Sequence, residues 1–231
     1  MTATASTNPI IVALDVPTLD QAIDLSDQLG DAVGAVKIGL ELFSAHGPGA
    51  VRALGVEHGV FLDLKLHDIP TTVRRAVAAL RGLEPELLTV HALGGRAMLE
   101  AANDEKGDTD VLAVTILTSL DDAALAELRL PPAAEAVPAL ARLAFEAGCD
   151  GVVCAPTDLA AVRAVCPPPF LVVTPGIRLA GSPTDDQART TTPEAAIAAG
   201  ADRLVIGRPI TRSTDPRGTA EAIVQMLTDP D

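Results

Sequence analysis

Val60-Phe-Leu-Asp-Leu-Lys-Leu-His-Asp-Ile-Pro-Thr-Thr72 changes its backbone period halfway along. Its first part alternates, the two-residue pattern of a strand. Its second part opens a helix, because Pro70 suits a first helical position and Asp68 to Ile69 then forms the turn into it. Successive side chains on a strand point to opposite faces, so Asp63 and Lys65 share one face while Leu62, Leu64 and Leu66 share the other.

The same strand-then-helix unit recurs on both sides of this stretch. Short apolar, β-branched runs stand at Ile10 to Leu14, Ala35 to Ile38, Val60 to Leu64, Leu87 to Val90, Val111 to Ile116, Gly151 to Cys154, Phe170 to Thr174 and Leu204 to Ile206, and each precedes a stretch of helical character. Eight such units in 231 residues, with no glycine-rich nucleotide fingerprint after the first strand, predict a single-domain α/β fold. The expected form is a (β/α)8 TIM barrel with a closed parallel eight-stranded sheet over residues 10–231, preceded by a flexible tail at 1–9. Asp63 and Lys65 then point into the barrel and the leucines toward the helices. The longest irregular polar stretch, Arg178 to Pro193, follows strand seven and reads as a functional lid.

Composition removes several classes of partner. Lys and Arg number 17 against 31 Asp and Glu, a formal charge of −14, and the chain has four Phe but no Tyr or Trp. Backbone binding of nucleic acid needs a cationic footprint and base stacking needs aromatics, so nucleic acid is not an expected partner. No apolar run approaches the length of a membrane span, and the opening MTATASTNP lacks the basic and apolar regions of a signal peptide, which together predict a cytoplasmic protein with no membrane association. Cys149, Cys154 and Cys166 are odd in number and lack CxxC spacing. They read as reduced core thiols.

Barrel enzymes carry their chemistry at the C-terminal ends of the strands, where this sequence is unusually charged. Asp15 ends strand one, Lys37 lies in strand two, Asp63 and Lys65 in strand three, His91 at the end of strand four, and Gly207 and Arg208 follow strand eight. Buried charges without partners are costly, so these groups are expected to converge on a shared polar cavity. The loops after strands seven and eight supply Pro175-Gly-Ile-Arg178 and Gly207-Arg208, where glycine permits close backbone approach and arginine offers a planar donor fork suited to a phosphate. His91 reads as a satisfied near-core histidine. His46, His58 and His67 show no metal-ligand spacing, and no metal is expected.

The pattern Asp63, Lys65, Asp68, Ile69, Pro70, Thr72, a D-x-K-x-x-D-I-P-x-T run, resembles that of the orotidine 5′-phosphate decarboxylases. The resemblance extends through IVALD with Asp15, VKIG with Lys37, TILTS with Thr118, TPGIR with Pro175 and Arg178, Gln187, and IGRPI with Arg208, covering residues 10 to 226. It implies a cofactor-independent carboxy-lyase of pyrimidine biosynthesis that converts orotidine 5′-phosphate to uridine 5′-phosphate and carbon dioxide. In the roles it implies, Lys37, Asp63, Lys65 and Asp68 form an alternating charge array with Lys65 as proton donor. Asp15 and Lys37 hold the ribose, Thr118 or Ser119 the pyrimidine edge, and Pro175, Arg178, Gly207 and Arg208 the phosphate end, with Gln187 from the lid bridging phosphate and pyrimidine. It further implies a homodimer in which each site borrows Asp68, Ile69 and Thr72 from the neighbouring subunit. An alternative on the same barrel is a sugar-phosphate decarboxylase or aldolase in which Asp63 and Asp68 hold Mg²⁺ against an enediolate. A Schiff-base aldolase using Lys65 and a catalytically silent phosphate-ligand binder are further readings.

Overall fold

The computed structural model describes residues 8–179 and 190–228. Eight parallel strands close on themselves in sequence order, β1 pairing with both β2 and β8. In chain order the elements are β1 (Ile10–Ala13), α1 (Leu19–Leu29), β2 (Ala35–Ile38), α2 (Leu40–His46), α3 (Pro48–Leu54), β3 (Gly59–Leu66), α4 (Pro70–Arg81), β4 (Leu87–His91), α5 (Arg96–Asn103), β5 (Asp110–Val114), α6 (Asp122–Glu127), α7 (Ala133–Glu146), β6 (Gly151–Val153), α8 (Leu159–Val165), β7 (Leu171–Thr174), α9 (Pro193–Ala198), β8 (Arg203–Ile206), α10 (Arg208–Thr211) and α11 (Pro216–Thr228). The expected (β/α)8 barrel is the observed one.

Two apolar layers follow from the strand period. Ile11, Ala13, Ala35, Phe61, Leu87, Leu112, Val173 and Val205 fill the barrel interior. Their neighbours one residue along, among them Val12, Val36, Leu62, Leu88 and Val172, pack outward against the helices in a larger core. Leu64 and Leu66 pack against that outer core too, on the side the sequence assigns them. Local chemistry sets the helix starts. Thr18 accepts a hydrogen bond from the Gln21 N–H before α1, Thr192 accepts one from the Ala195 N–H before α9, and Pro70 and Pro193 stand at first helical positions where a missing N–H costs nothing.

Three sequence expectations need adjustment. Asn8 and Pro9 belong to the fold rather than to a tail: Asn8 Nδ2 donates to the Ala32 carbonyl at 2.8 Å and the Pro9 carbonyl accepts from Leu204 N–H at 2.8 Å. β3 runs on to Leu66, beyond the expected Leu64, because its pairing with β4 shifts register between Leu62 and Leu66 instead of ending. β5 stops at Val114 rather than Ile116, as the chain there turns into the loop that carries Thr118. Cys149, Cys154 and Cys166 are buried free thiols, as expected, and burial pushes the first two up to about 11 and about 12, which makes them inert at neutral pH. Among the described residues no helix is long and apolar enough to cross a membrane.

Candidate active site

The charges at and just past the C-terminal ends of β1, β2 and β3 form one chain of alternating sign, Asp15 to Lys37 to Asp63 to Lys65. Register sets Lys37 beside Ala13 on one side and Phe61 on the other, so its side chain rises from the apolar interior layer toward the strand ends. Asp63 and Lys65 follow Phe61 on the inward face of β3. Lys65 Nζ donates to both Asp63 oxygens at 2.8 Å, and Lys37 Nζ lies 3.6 Å from Asp63 Oδ2 and 3.2 Å from Asp15 Oδ1. The side chains of Asp63 and Lys37 are only 14% and 10% exposed, against 62% for Asp15, so the array runs from solvent into the barrel. Burial pushes the Asp63 carboxyl up, but the Lys37 and Lys65 charges, with hydrogen bonds from Lys65 and Thr89, outweigh it and hold the group below its usual range. Asp63 is therefore an anion clamped between two cations.

The backbone pays for this arrangement at Lys65, whose φ of 51° lies in the left-handed region that side chains other than glycine rarely occupy, at a typical cost of about 1–2 kcal/mol. Thr89 on β4 accepts a hydrogen bond from the Lys65 N–H at 2.8 Å and donates one to Asp63 Oδ1 at 3.0 Å. Gly39, just past β2, matters for a steric reason. A Cβ there would lie 3.1 Å from Asp15 Oδ1 and 3.2 Å from Lys37 Nζ, tight against the ion pair.

Above the array lies a cavity of about 590 Å³. It is lined by Asp15, Lys37, Asp63, Lys65, Thr118, Pro175, Arg178, Gly207 and Arg208, nine of the residues singled out from the sequence, over an apolar floor that includes Phe61, Val114 and Val205. Arg178 Nη2 is buried with no hydrogen-bond partner among the described residues, a donor available to an anion. Its loop is pinned at the base, since Arg178 N–H donates to the Thr191 carbonyl at 2.9 Å and Thr191 N–H to the Gly176 carbonyl at 3.2 Å. Of the two candidates for the pyrimidine edge, Thr118 lines the cavity, while Ser119 is exposed and does not. Asp68, Ile69 and Thr72 are all exposed and none lines this chain's own cavity; Asp68 Oδ1 instead accepts from Ile69 N–H at 2.7 Å at the start of α4. Gln187 falls outside the described residues.

His91 is buried at the end of β4, its Nδ1 accepting from Leu93 N–H at 3.4 Å, with the His67 ring stacked on it at 5.3 Å between centroids. Burial, then the His67 and Lys65 charges, push its pKa down, so it is neutral where the array is charged. Sequence reading missed Thr89, Gly39 and the cavity-lining Thr211 and Arg212. Thr89 was open to notice as the polar residue interrupting the apolar run Leu87-Leu-Thr-Val90. The others carry no local signal, since a glycine after a strand and polar residues on a short helix are commonplace.

Comparison with known proteins fits this geometry. The family model described as "Orotidine 5'-phosphate decarboxylase / HUMPS family" matches residues 8–223. The orotidine 5′-phosphate decarboxylase of Thermobifida fusca is 50% identical over 222 residues, covering 95% of both chains, and that of Anaeromyxobacter sp. is 51% identical, covering 94% of this chain and 97% of its own. The crystal structure of the Lactobacillus acidophilus orotidine 5′-phosphate decarboxylase superposes with a TM-score of 0.86 at 38% identity, over 96% of this chain and 100% of that one. A match this long, to relatives of the same fold at half identity, means that the chain belongs to the orotidine 5′-phosphate decarboxylase / HUMPS family.

Proposed function

We propose that the chain decarboxylates orotidine 5′-phosphate at C6, giving uridine 5′-phosphate and carbon dioxide, with the Lys37, Asp63 and Lys65 array as its reacting centre. The observation that carries this reading is the mostly buried Asp63 carboxylate held between two ammonium groups under a cavity that Arg178 and Arg208 also line. Breaking the C6 to carboxylate bond leaves an electron pair in the plane of the pyrimidine ring, where no adjacent carbonyl π-system absorbs it. Fixed charge and a proton donor must do that work. Asp63 crowds the substrate carboxylate, the Lys65 ammonium stabilises the developing carbanion and gives it a proton, and carbon dioxide leaves without its electron pair. The lysine regains its proton from water. One charge pair at ~4 Å is worth about 4 kcal/mol at an effective dielectric near 20, less than the roughly 8–23 kcal/mol by which enzymes lower barriers. The remainder is assigned to binding of the remote phosphate and ribose, through Arg178, Arg208, Gln187, Pro175 and Gly207 at the phosphate and Asp15 and Lys37 at the ribose, with Thr118 on the pyrimidine edge.

The site is assigned to a homodimer. Asp68, Ile69 and Thr72 stand exposed on the same end of the barrel as the cavity, and Ile69 at 67% exposure and Leu40 at 55% offer apolar surface beside it. A second copy covering that surface would bring its own Asp68 to the open end of the array. Three free, buried thiols fit a reducing cytoplasm. The Mg²⁺-dependent alternative is not favoured, because Asp63 is already occupied by two ammonium groups that a metal ion would have to displace.

Mixing purified protein with orotidine 5′-phosphate tests the assignment. The orotate absorbance should decay to that of uridine 5′-phosphate at a rate unchanged by EDTA, and a stable spectrum, or activity abolished by the chelator, would overturn it.

A further inference from the structure

Thr89 is completely buried and does not line the cavity, so it has no route to the substrate. Its Oγ1 nevertheless joins both working residues of β3, accepting from the Lys65 N–H at 2.8 Å and donating to Asp63 Oδ1 at 3.0 Å. A hydroxyl has a single proton to donate, and here it goes to the carboxylate. The sheet explains why a side chain is needed at this point. Leu62 pairs with Leu88 and Leu66 with Val90, so four steps along β3 face two along β4, with Thr89 opposite the surplus. The Lys65 amide, turned by its φ of 51°, finds the threonine hydroxyl in place of a ladder carbonyl.

We infer that Thr89 is a positioning residue for the decarboxylation: through one oxygen atom it fixes both the rotamer of the Asp63 carboxylate and the backbone turn of Lys65, and so sets the contact between them. This rests on the function proposed above. The inference predicts a kinetic effect without a binding effect, because the phosphate and ribose contacts lie elsewhere in the cavity while the misplaced groups are those that act at C6.

Thr89→Val keeps the branched shape and removes both hydrogen bonds, leaving an amide and a carboxylate lone pair without partners. Its kcat for orotidine 5′-phosphate should fall about tenfold to a hundredfold, with KM and the Kd for uridine 5′-phosphate within about threefold of wild type. Thr89→Ser, which restores the oxygen and lacks only the methyl, should recover kcat to within about threefold of wild type. Retention of kcat by the valine variant, loss confined to KM, or equal loss in the serine variant would each overturn the role. Should the valine chain fail to fold, the same comparison is made between Thr89→Ala and Thr89→Ser. Absence of turnover in the wild type would count against the proposed function instead, which keeps the two failures apart.

Discussion

Lys65 combines three features that rarely coincide: a side chain on the inward face, a two-oxygen contact with Asp63, and a strained left-handed backbone. Strain of this kind persists only where the surroundings over-determine it, and here Thr89 and Asp63 hold Lys65 through its N–H and its ammonium. On the mechanism proposed above, deleting its side chain removes the proton donor and leaves the phosphate contacts in place. Lys65→Ala is expected to lose at least about a thousandfold in kcat while still binding uridine 5′-phosphate, which titration calorimetry and single-turnover assays would separate. Activity within tenfold of wild type would assign the proton to another group. Asp63, Lys65 and Lys37 were legible as single residues because a charged side chain on the inward face of a barrel strand has few structural reasons to exist. Gly39 was not, and Thr89 showed only as a polar break in an apolar run, since the atoms each one meets across a strand boundary come near only in the folded register.

The strands themselves were legible almost to their ends, because β-branched runs between turn residues carry a strong local signal. The exceptions lie at β3 and β5, where the chain leaves regular pairing. The extra length of β3 depends on a register shift against β4, a property of two strands that neither sequence announces alone. At the top of β4, the neutral His91 stacked on His67 ties that strand to the end of β3. Its pKa is lowered in the fold, so the unfolded chain takes up a proton on His91 at a higher pH than the folded one does. His91 therefore contributes stability that is fully present above the ordinary histidine range and is lost as pH falls through it. Wild type should lose more unfolding free energy between pH 7.5 and pH 5 than His91→Gln does, measured by urea denaturation. Parallel losses in the two proteins would mean that His91 takes up its proton equally readily in the folded and unfolded states.

At the scale of the whole molecule, the barrel places every strand's C-terminal end on one face, so the array, both arginines and the exposed Asp68 region share a single end. Asp68 lies outside its own chain's cavity, and the homodimer reading makes a sharp prediction from that fact. Lys65→Ala and Asp68→Ala should each be nearly inactive alone. In a mixed dimer with shared sites, one site collects both lesions and the other collects neither, so equal amounts after free exchange should recover about a quarter of wild-type activity. No recovery after verified exchange of two folded variants would mean that each subunit's site is complete in itself.

The pinned base of the loop after β7 has a consequence for how this protein can change. Because backbone hydrogen bonds tie Thr191 to Arg178 and to Gly176, the barrel sees a fixed span there whatever chain lies between. Loop-closure entropy grows only logarithmically, by about 0.6 kcal/mol per doubling of length. Changes of chain length between Arg178 and Thr191 therefore cost the fold little, so this is where descendants of the sequence can be lengthened, shortened or exchanged as a cassette without renegotiating the eight-stranded frame beneath.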